Sequence, residues 1–281
     1  MKIQTRVAWL GFPVLWLGIF LVLPVLITLL VSFLKQSMGR FDTTFTLENY
    51  LELFTSITYL QIIWVTFKNA AMVTLLSLIF GYPVAYYLTF CVQRLEAKII
   101  LFIIALTPFW TSYLIRAVAW MPLLGRNGLI NSALLQIGLI SQPLDILLFS
   151  NFAVVLVMVQ LYILFMISPI FFSLSNIKQS LIEAARDLGA TPFQIFRWVI
   201  WPLSVPGVAI GTVFVFVLSM GEFATVRLIG GGNASSLGLT IQNFVSYIQF
   251  PSASAVASVL VTILVVSVWF LFKLGQVREE L

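Results

Sequence analysis

The sequence lacks histidine, has a single cysteine (Cys91), and carries charge on only 9% of its 281 residues. These counts exclude a disulfide framework, a zinc site built from Cys and His, and Ser-His-Asp or Cys-His catalytic triads. A soluble globular protein has about 25% charged residues, so this chain has too few charges to cover a water-facing surface. With 61% hydrophobic residues and a mean hydropathy of +1.08, the composition predicts an all-α polytopic membrane protein.

Long apolar runs divide the chain. A helix needs about 20 largely apolar residues to cross a hydrocarbon core of about 30 Å. The first run follows Lys2 and Arg6, but it is longer than the apolar core of a signal peptide and has no small-residue cleavage site, which predicts an uncleaved first span. We predict six transmembrane helices in a single domain over residues 1–281, at about 9–33, 69–90, 99–116, 149–174, 204–229 and 254–274.

Basic residues predict the orientation. Six spans place both termini on one side, and nine of the 15 Lys and Arg residues fall on that side: Lys2, Arg6, Arg94, Lys98, Lys178, Arg186, Arg197, Lys273 and Arg278. Short loops rich in Lys and Arg face the cytoplasm. We therefore expect both termini to be cytoplasmic and segments 35–63, 121–148 and 230–253 to face outward, the first as a partly helical cap.

The inward segment at about 175–203 is too long for a simple turn and too polar for lipid. Ser180 followed by Glu183 predicts a capping box at the start of a short helix. Gly189 then stands where a helix needs a residue with positive φ. One apolar face of this helix is predicted from Leu181, Ile182, Ala185 and Leu188.

A second short helix is predicted directly after the first. Thr191 is a suitable N-cap residue, and Pro192 suits the first helical position. Pro202 and Pro206 are predicted to break the chain again as it re-enters the membrane. The product would be a compact helix–Gly–helix elbow at the membrane face.

This elbow resembles a known motif. Glu183-Ala184-Ala185, three residues, Gly189, nine residues and then Val199-Ile200-Trp201-Pro202 are similar to the EAA signature of ABC importer permeases. The family has isoleucine at the position of Val199 and leucine at that of Trp201. The resemblance implies a type I importer permease fold with cytoplasmic coupling helices that dock into an ATPase. The residues it assigns to ATPase coupling are Glu183, Ala184, Ala185, Asp187, Gly189 and Pro202.

Further segments resemble the spermidine/putrescine-type permeases, and most closely the first of that system's two permease subunits. They are Gly81-Tyr82-Pro83, Pro108-Phe109-Trp110-Thr111-Ser112-Tyr113, Gly221-Glu222-Phe223, Gly230-Gly231 and Pro251-Ser252-Ala253-Ser254-Ala255. The resemblance implies an importer of small polar solutes in the bacterial inner membrane, with polyamines as the expected cargo.

The chain has no phosphate-binding Gly-x-x-x-x-Gly-Lys-[Ser/Thr] loop. We therefore expect no cofactor and no catalytic or metal site on this chain, with ATP and Mg²⁺ bound by a partner. The resemblance implies two ATPase subunits, a second permease that we expect to be a different chain, and an extracytoplasmic solute-binding protein.

Charged residues within apolar runs indicate where a solute passes, because a charge in the membrane is costly. Lys68 lies at the edge of a span, from which its side chain can reach the interface. Glu222 is a carboxylate suited to a cationic amine, and nearby aromatic rings suit the same cation. The candidate pathway residues are Trp110, Tyr113, Arg116, Glu222, Phe223 and Arg227.

Three alternatives stay open on the sequence. Glu222 either contacts solute or forms an ion pair with Arg116 or Arg227. If these arginines are unpaired, a zwitterion or anion such as an amino-acid-like solute, an opine or a phosphonate fits better than a polyamine. A proton-coupled secondary transporter is the third alternative, although it leaves the elbow unexplained.

Overall fold

The computed structural model describes residues 13–37 and 40–276. The described helices are α1 (Pro13–Ser32), α2 (Glu48–Thr55), α3 (Ile57–Cys91), α4 (Leu95–Leu106), α5 (Tyr113–Val118), α6 (Met121–Leu124), α7 (Leu129–Gln136), α8 (Asn151–Ser175), α9 (Gln179–Asp187), α10 (Pro192–Met220), α11 (Ala224–Gly230), α12 (Leu237–Ser246) and α13 (Phe250–Gln276). Two strands, β1 (Leu34–Ser37) and β2 (Arg40–Phe45), form an antiparallel hairpin. Lys2, Arg6, Arg278 and the start of the predicted span 9–33 lie outside the described residues.

The described residues cluster into two compact units. One contains the residues up to 63 together with 237–263, and the other contains 64–236 and the residues from 264. This clustering does not test whether the chain folds as one transmembrane domain, which stays a prediction.

The first unit is organised by a polar cluster that follows α1. The Asn49 side-chain amide donates to the carbonyl oxygens of Ser32 and Leu34, both at 2.9 Å, and the Ser32 and Tyr50 hydroxyls lie 2.6 Å apart. The bond to Ser32 satisfies a carbonyl group that the end of α1 leaves without a helical partner. The segment 35–63, which is predicted to face outward, contains a hairpin as well as the expected helix, because Asn49 of α2 bonds both the last residue of α1 and the first residue of β1.

The second unit is built around α8, whose side chains are the most buried of the long helices. Helix α10 packs against α8 through Gly207 and Gly211. A Cβ atom on Gly207 would lie only 2.5 Å from the Pro169 carbonyl oxygen, and one on Gly211 only 2.8 Å from Met166 Sδ. Small residues four positions apart allow membrane helices to approach closely, and this pair is the means by which α8 and α10 do so.

Among the described residues, five helices are long and apolar enough to cross a membrane. They are α1, α3, α8, α10 and the part of α13 that ends at Lys273. A sixth span forms if Leu95–Trp110 and Tyr113–Gln136 count as one, although they are bent by 92°. The predicted span 99–116 is therefore wrong in its extent. The Thr111 hydroxyl donates to the Pro108 carbonyl at 2.7 Å, and Thr111 is extended, so the helix ends inside the apolar run.

The second and fifth spans also differ from their predicted bounds. The second begins at Ile57 rather than near 69, because α3 continues through the exposed Lys68 without interruption. The fifth begins at Pro192 and ends at Met220, rather than covering 204–229. Hydropathy locates an apolar run, but backbone hydrogen bonding determines where the helix through it begins and ends.

Candidate functional site

The elbow, residues 176–191, joins α8 to α10. Its helix α9 begins at Gln179 after Lys178, and no side chain caps it. The predicted capping box of Ser180 and Glu183 is therefore wrong. Since Lys178 rather than Ser180 is the N-cap residue, Glu183 lies in the second turn, beyond reach of the backbone N–H groups that a capping box satisfies.

The turn of the elbow follows the predicted chemistry. Gly189 has φ of +81°, its N–H donates to the Arg186 carbonyl at 2.8 Å, and the Ala190 N–H donates to the Ala185 carbonyl at 3.0 Å. This pair of bonds is a Schellman motif, which requires a left-handed residue at the position of Gly189. Thr191 and Gln194 then form a capping box at the start of α10, as the N-cap prediction for Thr191 anticipated.

The elbow presents a mixed polar and apolar surface. Ile182 is buried, Ala185 is half-buried, and Glu183, Ala184, Asp187 and Gly189 are exposed. Leu181 and Leu188 were predicted to share one apolar face with Ile182 and Ala185, but they are 47% and 88% exposed. Leu188 sits at the C-cap of α9, after the last helical residue.

Pro202 does not lie on the elbow. The helix runs without a break from Pro192 to Met220, so the predicted second short helix does not exist as a separate element, and the prediction that Pro202 and Pro206 interrupt the chain is wrong. A π-helical turn at Phe196–Ile200 precedes Pro202. Local π-helical adjustment lets a membrane helix accommodate proline, because the backbone bonds rearrange around the missing N–H. Pro202 therefore belongs to the spanning helix.

A second feature is the break between α10 and α11, where Glu222 lies. The Thr225 backbone N–H donates to Glu222 Oε1 at 2.8 Å, the Tyr162 hydroxyl donates to Glu222 Oε2, and the Ser236 hydroxyl donates to the Glu222 carbonyl at 2.8 Å. The carboxylate thus accepts a bond from the backbone of the first turn of α11. This bond starts a new helix at Ala224 after α10 has ended at Met220. This explains why the helix does not follow the apolar run to residue 229.

Glu222 lines an open cavity of about 510 Å³ between α5, α8 and the end of α10, to which Phe109 and Thr111, just before α5, also contribute. Four of the six candidate pathway residues lie in its lining: Tyr113, Arg116, Glu222 and Phe223. Trp110, which is 80% exposed, and Arg227, which is exposed on α11, do not line it. The fold therefore brings together residues that are more than 100 positions apart.

The charges in this cavity are not neutralised by each other. Within the described part of the chain, Glu222 makes no ion pair with Arg116 or Arg227; the ion pair found there joins Arg126 and Asp145. The Arg116 guanidinium lies over the Phe109 ring, with Cζ 5.8 Å from the ring centroid. The Nε and Nη1 atoms of Arg116 are buried and have no hydrogen-bond partner among the described residues.

Tyr162 is one of the site residues that sequence reasoning missed. It lies in the middle of α8, is 8% exposed, and bonds a residue 60 positions away. The one signal available was a polar hydroxyl inside a largely apolar run, and tyrosine is common in membrane helices. Thr225 was missed because its contribution is a backbone N–H, which no residue type reveals.

Comparisons with known proteins give the family. Residues 77–276 match the family described as binding-protein-dependent transport system inner membrane component. The spermidine/putrescine transport system permease protein PotB of Haemophilus influenzae is 35% identical over 270 residues, which is 94% of this chain and 92% of that protein. PotB of Escherichia coli is 33% identical over 89% of this chain and 90% of its own length. A shorter match, 34% identical over 104 residues, covers 37% of this chain and 39% of the permease protein PotC of Escherichia coli.

A solved structure gives the fold. A chain of a bacterial ABC transporter involved in the import of the acidic polysaccharide alginate aligns with a TM-score of 0.73 and 21% identity, over 98% of this chain and 96% of that one. The fold is therefore that of an all-α, polytopic type I importer permease. ATPase activity in such systems belongs to separate subunits, and this family assignment removes the secondary-transporter alternative. The chain belongs to the binding-protein-dependent transport system inner membrane components and is a multi-pass permease subunit of an ABC importer.

Proposed function

We propose that the chain carries polyamines of the putrescine and spermidine type through the cavity that contains Glu222. The observation that carries this proposal is a buried carboxylate that has no ion pair among the described residues and lines a cavity with aromatic rings, in a chain whose relatives of similar length bear spermidine/putrescine transport names. A carboxylate and the faces of Tyr113 and Phe223 suit an ammonium group, and each ring face contributes about 0.5–2 kcal/mol.

A second candidate cargo is a zwitterion or anion, such as an amino-acid-like solute, an opine or a phosphonate. The observation that favours it is Arg116, whose Nε and Nη1 atoms are buried without a partner in the described chain. A buried donor without a partner costs about 1–3 kcal/mol, and an anionic group of the solute would supply that partner. The effect of replacing Arg116 on uptake therefore distinguishes the two candidate cargoes.

We infer that the elbow transmits ATPase closure to the spanning helices. Exposed Glu183, Ala184 and Asp187 offer a polar edge, and Leu188, 88% exposed, offers an apolar side chain that a partner would cover. The Schellman turn at Gly189 leads directly into α10, so a movement of the elbow would act on the 29-residue helix that ends next to Glu222. Pro202 would take part only through this helix.

The proposed assembly has two ATPase subunits, which bind ATP and Mg²⁺, a second permease and an extracytoplasmic solute-binding protein. This chain would hold no cofactor of its own. In the proposed orientation both termini and the elbow face the cytoplasm, and the break at Glu222 faces the binding protein.

Uptake measurements test the cargo. Vesicles containing the chain, its companion subunits and binding protein would be supplied with labelled putrescine and spermidine, or with glutamate, γ-aminobutyrate and a phosphonate, with and without internal ATP. We expect ATP-dependent polyamine uptake that falls at least about tenfold in Glu222→Gln, since a bond to a charged group contributes about 1.5–3 kcal/mol.

The matched control is Glu96→Gln, which neutralises an exposed carboxylate on α4 and should transport normally. Arg116→Gln should leave polyamine uptake within about threefold, because no interaction of a solute cation with this residue is lost. ATP-dependent uptake of a zwitterion or anion that Arg116→Gln abolishes would replace the polyamine by the second candidate. Normal polyamine uptake by a well-expressed Glu222→Gln variant would remove Glu222 from the pathway.

A further inference from the structure

A groove of about 990 Å³ lies along the first turns of α10. Its lining residues are Phe193, Phe196, Arg197, Trp198, Trp201, Pro202 and Leu203. None of them lines the cavity that contains Glu222, so the proposed transport pathway does not account for the groove. This volume is at the upper end of the range for ligand sites, about 300–1,000 Å³.

The inner wall of the groove is held in place by aromatic packing. The Trp201 ring lies 5.4 Å from that of Tyr82, the Phe196 ring lies 6.0 Å from it, and the Tyr82 hydroxyl is 3.0 Å from Ser204 Oγ. Trp201 is also the residue that departs most from the EAA pattern. Trp201 thus supplies a fixed indole wall to the groove.

The outer side of the groove is open. Trp198 is 72% exposed and Phe193 is 68% exposed. The Arg197 Cζ lies 5.7 Å from the centroid of the Trp198 ring. Arg197 is the one charged residue in the lining, and across the described ranges its guanidinium has no ion pair or hydrogen bond with another residue.

The groove lies where α10 passes from polar to apolar surroundings. At 1.5 Å per residue, its 29 residues extend about 43 Å, whereas the hydrocarbon core is about 30 Å thick. No charged residue occurs between Arg197 and Glu222. We therefore expect the first turns of α10, which carry Gln194 and Arg197, to extend beyond the hydrocarbon core to the level of the lipid headgroups, with Trp198 and Trp201 at the depth typical of interfacial aromatics.

We propose that this groove binds an anionic phospholipid. The lipid phosphate would accept hydrogen bonds from the Arg197 guanidinium, which is oriented by its stacking on Trp198, and one acyl chain would lie against Phe193, Trp201 and Leu203. Charge complementarity favours lipid over a second permease subunit as the occupant. An apolar protein face laid over Arg197 would bury its charge without a partner, at a cost of several kcal/mol, whereas an anionic headgroup supplies that partner.

Native mass spectrometry of the complete transporter tests this proposal. The purified complex would be incubated with a synthetic phosphatidylglycerol or with a phosphatidylcholine of the same acyl chains, and the retained lipid would be counted. We expect phosphatidylglycerol adducts that Arg197→Gln reduces by about fivefold, the change expected from one basic residue near an anionic headgroup. Arg197→Lys should retain most of them.

The matched control is Arg94→Gln, which removes an exposed charge on the N-terminal side of α4, outside the groove, and should leave the adducts unchanged. A Trp198→Leu variant should also lose phosphatidylglycerol while the assembled complex stays intact on size-exclusion chromatography. Excess inorganic phosphate should not displace the lipid, because the acyl chain contributes to binding.

Equal retention of phosphatidylglycerol and phosphatidylcholine by the wild type would overturn the proposal. So would adducts that Arg197→Gln leaves unchanged, or displacement of the lipid by inorganic phosphate alone. Adducts on the isolated permease that are absent from the complete transporter would also overturn it, since a subunit would then cover the groove.

Discussion

At the scale of single residues, Glu222 and Tyr162 act as a pair. Both carboxylate oxygens of Glu222 accept a bond from the protein, one from Tyr162 on α8 and one from the Thr225 backbone. Each oxygen of a carboxylate can accept more than one bond, so the arrangement orients Glu222 and still leaves capacity for a solute ammonium group. Tyr162 is thus a positioning residue for the proposed site.

Removal of the Tyr162 hydroxyl tests this positioning role. In Tyr162→Phe the carboxylate keeps its charge but loses one donor, which contributes about 1.5–3 kcal/mol when the acceptor is charged. We expect the apparent KM for putrescine to rise about tenfold while the maximal ATP-dependent rate changes less, as measured by initial uptake rates.

The control for this variant is Tyr87→Phe, because Tyr87 is 57% exposed and lies outside the cavity. Its uptake kinetics should equal those of the wild type. An unchanged KM in a well-expressed Tyr162→Phe variant would show that the hydroxyl does not position Glu222 for solute.

At the scale of elements, the contact between α8 and α10 connects the elbow to the cavity. The two helices touch at Gly207 and Gly211, and α8 also carries Tyr162 while α10 ends beside Glu222. Any change in the separation of these helices therefore acts on both ends of α10. Their close approach depends on the absence of a Cβ atom at two positions.

Substitution of Gly207 by alanine should separate the helices. The added Cβ would lie 2.5 Å from the Pro169 carbonyl oxygen and 2.6 Å from Ser173 Cβ, and overpacking of this kind costs about 1–3 kcal/mol. We expect Gly207→Ala to lower the thermal stability of the purified permease in detergent. The comparison is Gly18→Ala on α1, where the added Cβ would have no described heavy atom within 4 Å apart from its own helix backbone and chain neighbours. This variant should melt at or above the wild-type temperature because alanine favours helix. Equal stability of the two variants would contradict the packing argument.

At the scale of the whole molecule, the distribution of basic residues predicts how the chain is oriented in the membrane. The single cysteine offers a direct measurement. Cys91 is exposed at the end of α3, next to Arg94 and Lys98, which the positive-inside rule places in the cytoplasm. We expect a membrane-impermeant maleimide to label Cys91 in permeabilised cells and to leave it unlabelled in intact ones.

The converse label completes this measurement. Ser141 is exposed in the segment predicted to face outward, so Ser141→Cys in a Cys91→Ser background should react in intact cells. Labelling of Cys91 without permeabilisation would reverse the proposed orientation, and with it the placement of the elbow on the ATPase side.

Local chemistry explains which predictions from the sequence hold. The membrane class depends on composition alone, because a chain with 9% charge has too little polar surface for water. The turn of the elbow depends on residues within a few positions of one another: Gly189 supplies positive φ, and Thr191 caps the next helix. The family, which the match over residues 77–276 confirms, was likewise predicted from the EAA spacing within a single segment.

Contacts between distant residues explain what the sequence left undetermined. The end of α10 at Met220 depends on a carboxylate that bonds both the next helix and a tyrosine 60 positions away, while hydropathy continues across the break. The cavity likewise exists only where α5, α8 and α10 meet, and the groove beside Arg197 depends on Trp201 packing on Tyr82. Composition and local capping thus determined the class of protein and its elbow, whereas long-range packing decided which charges share a site, because only the folded chain brings their helices together.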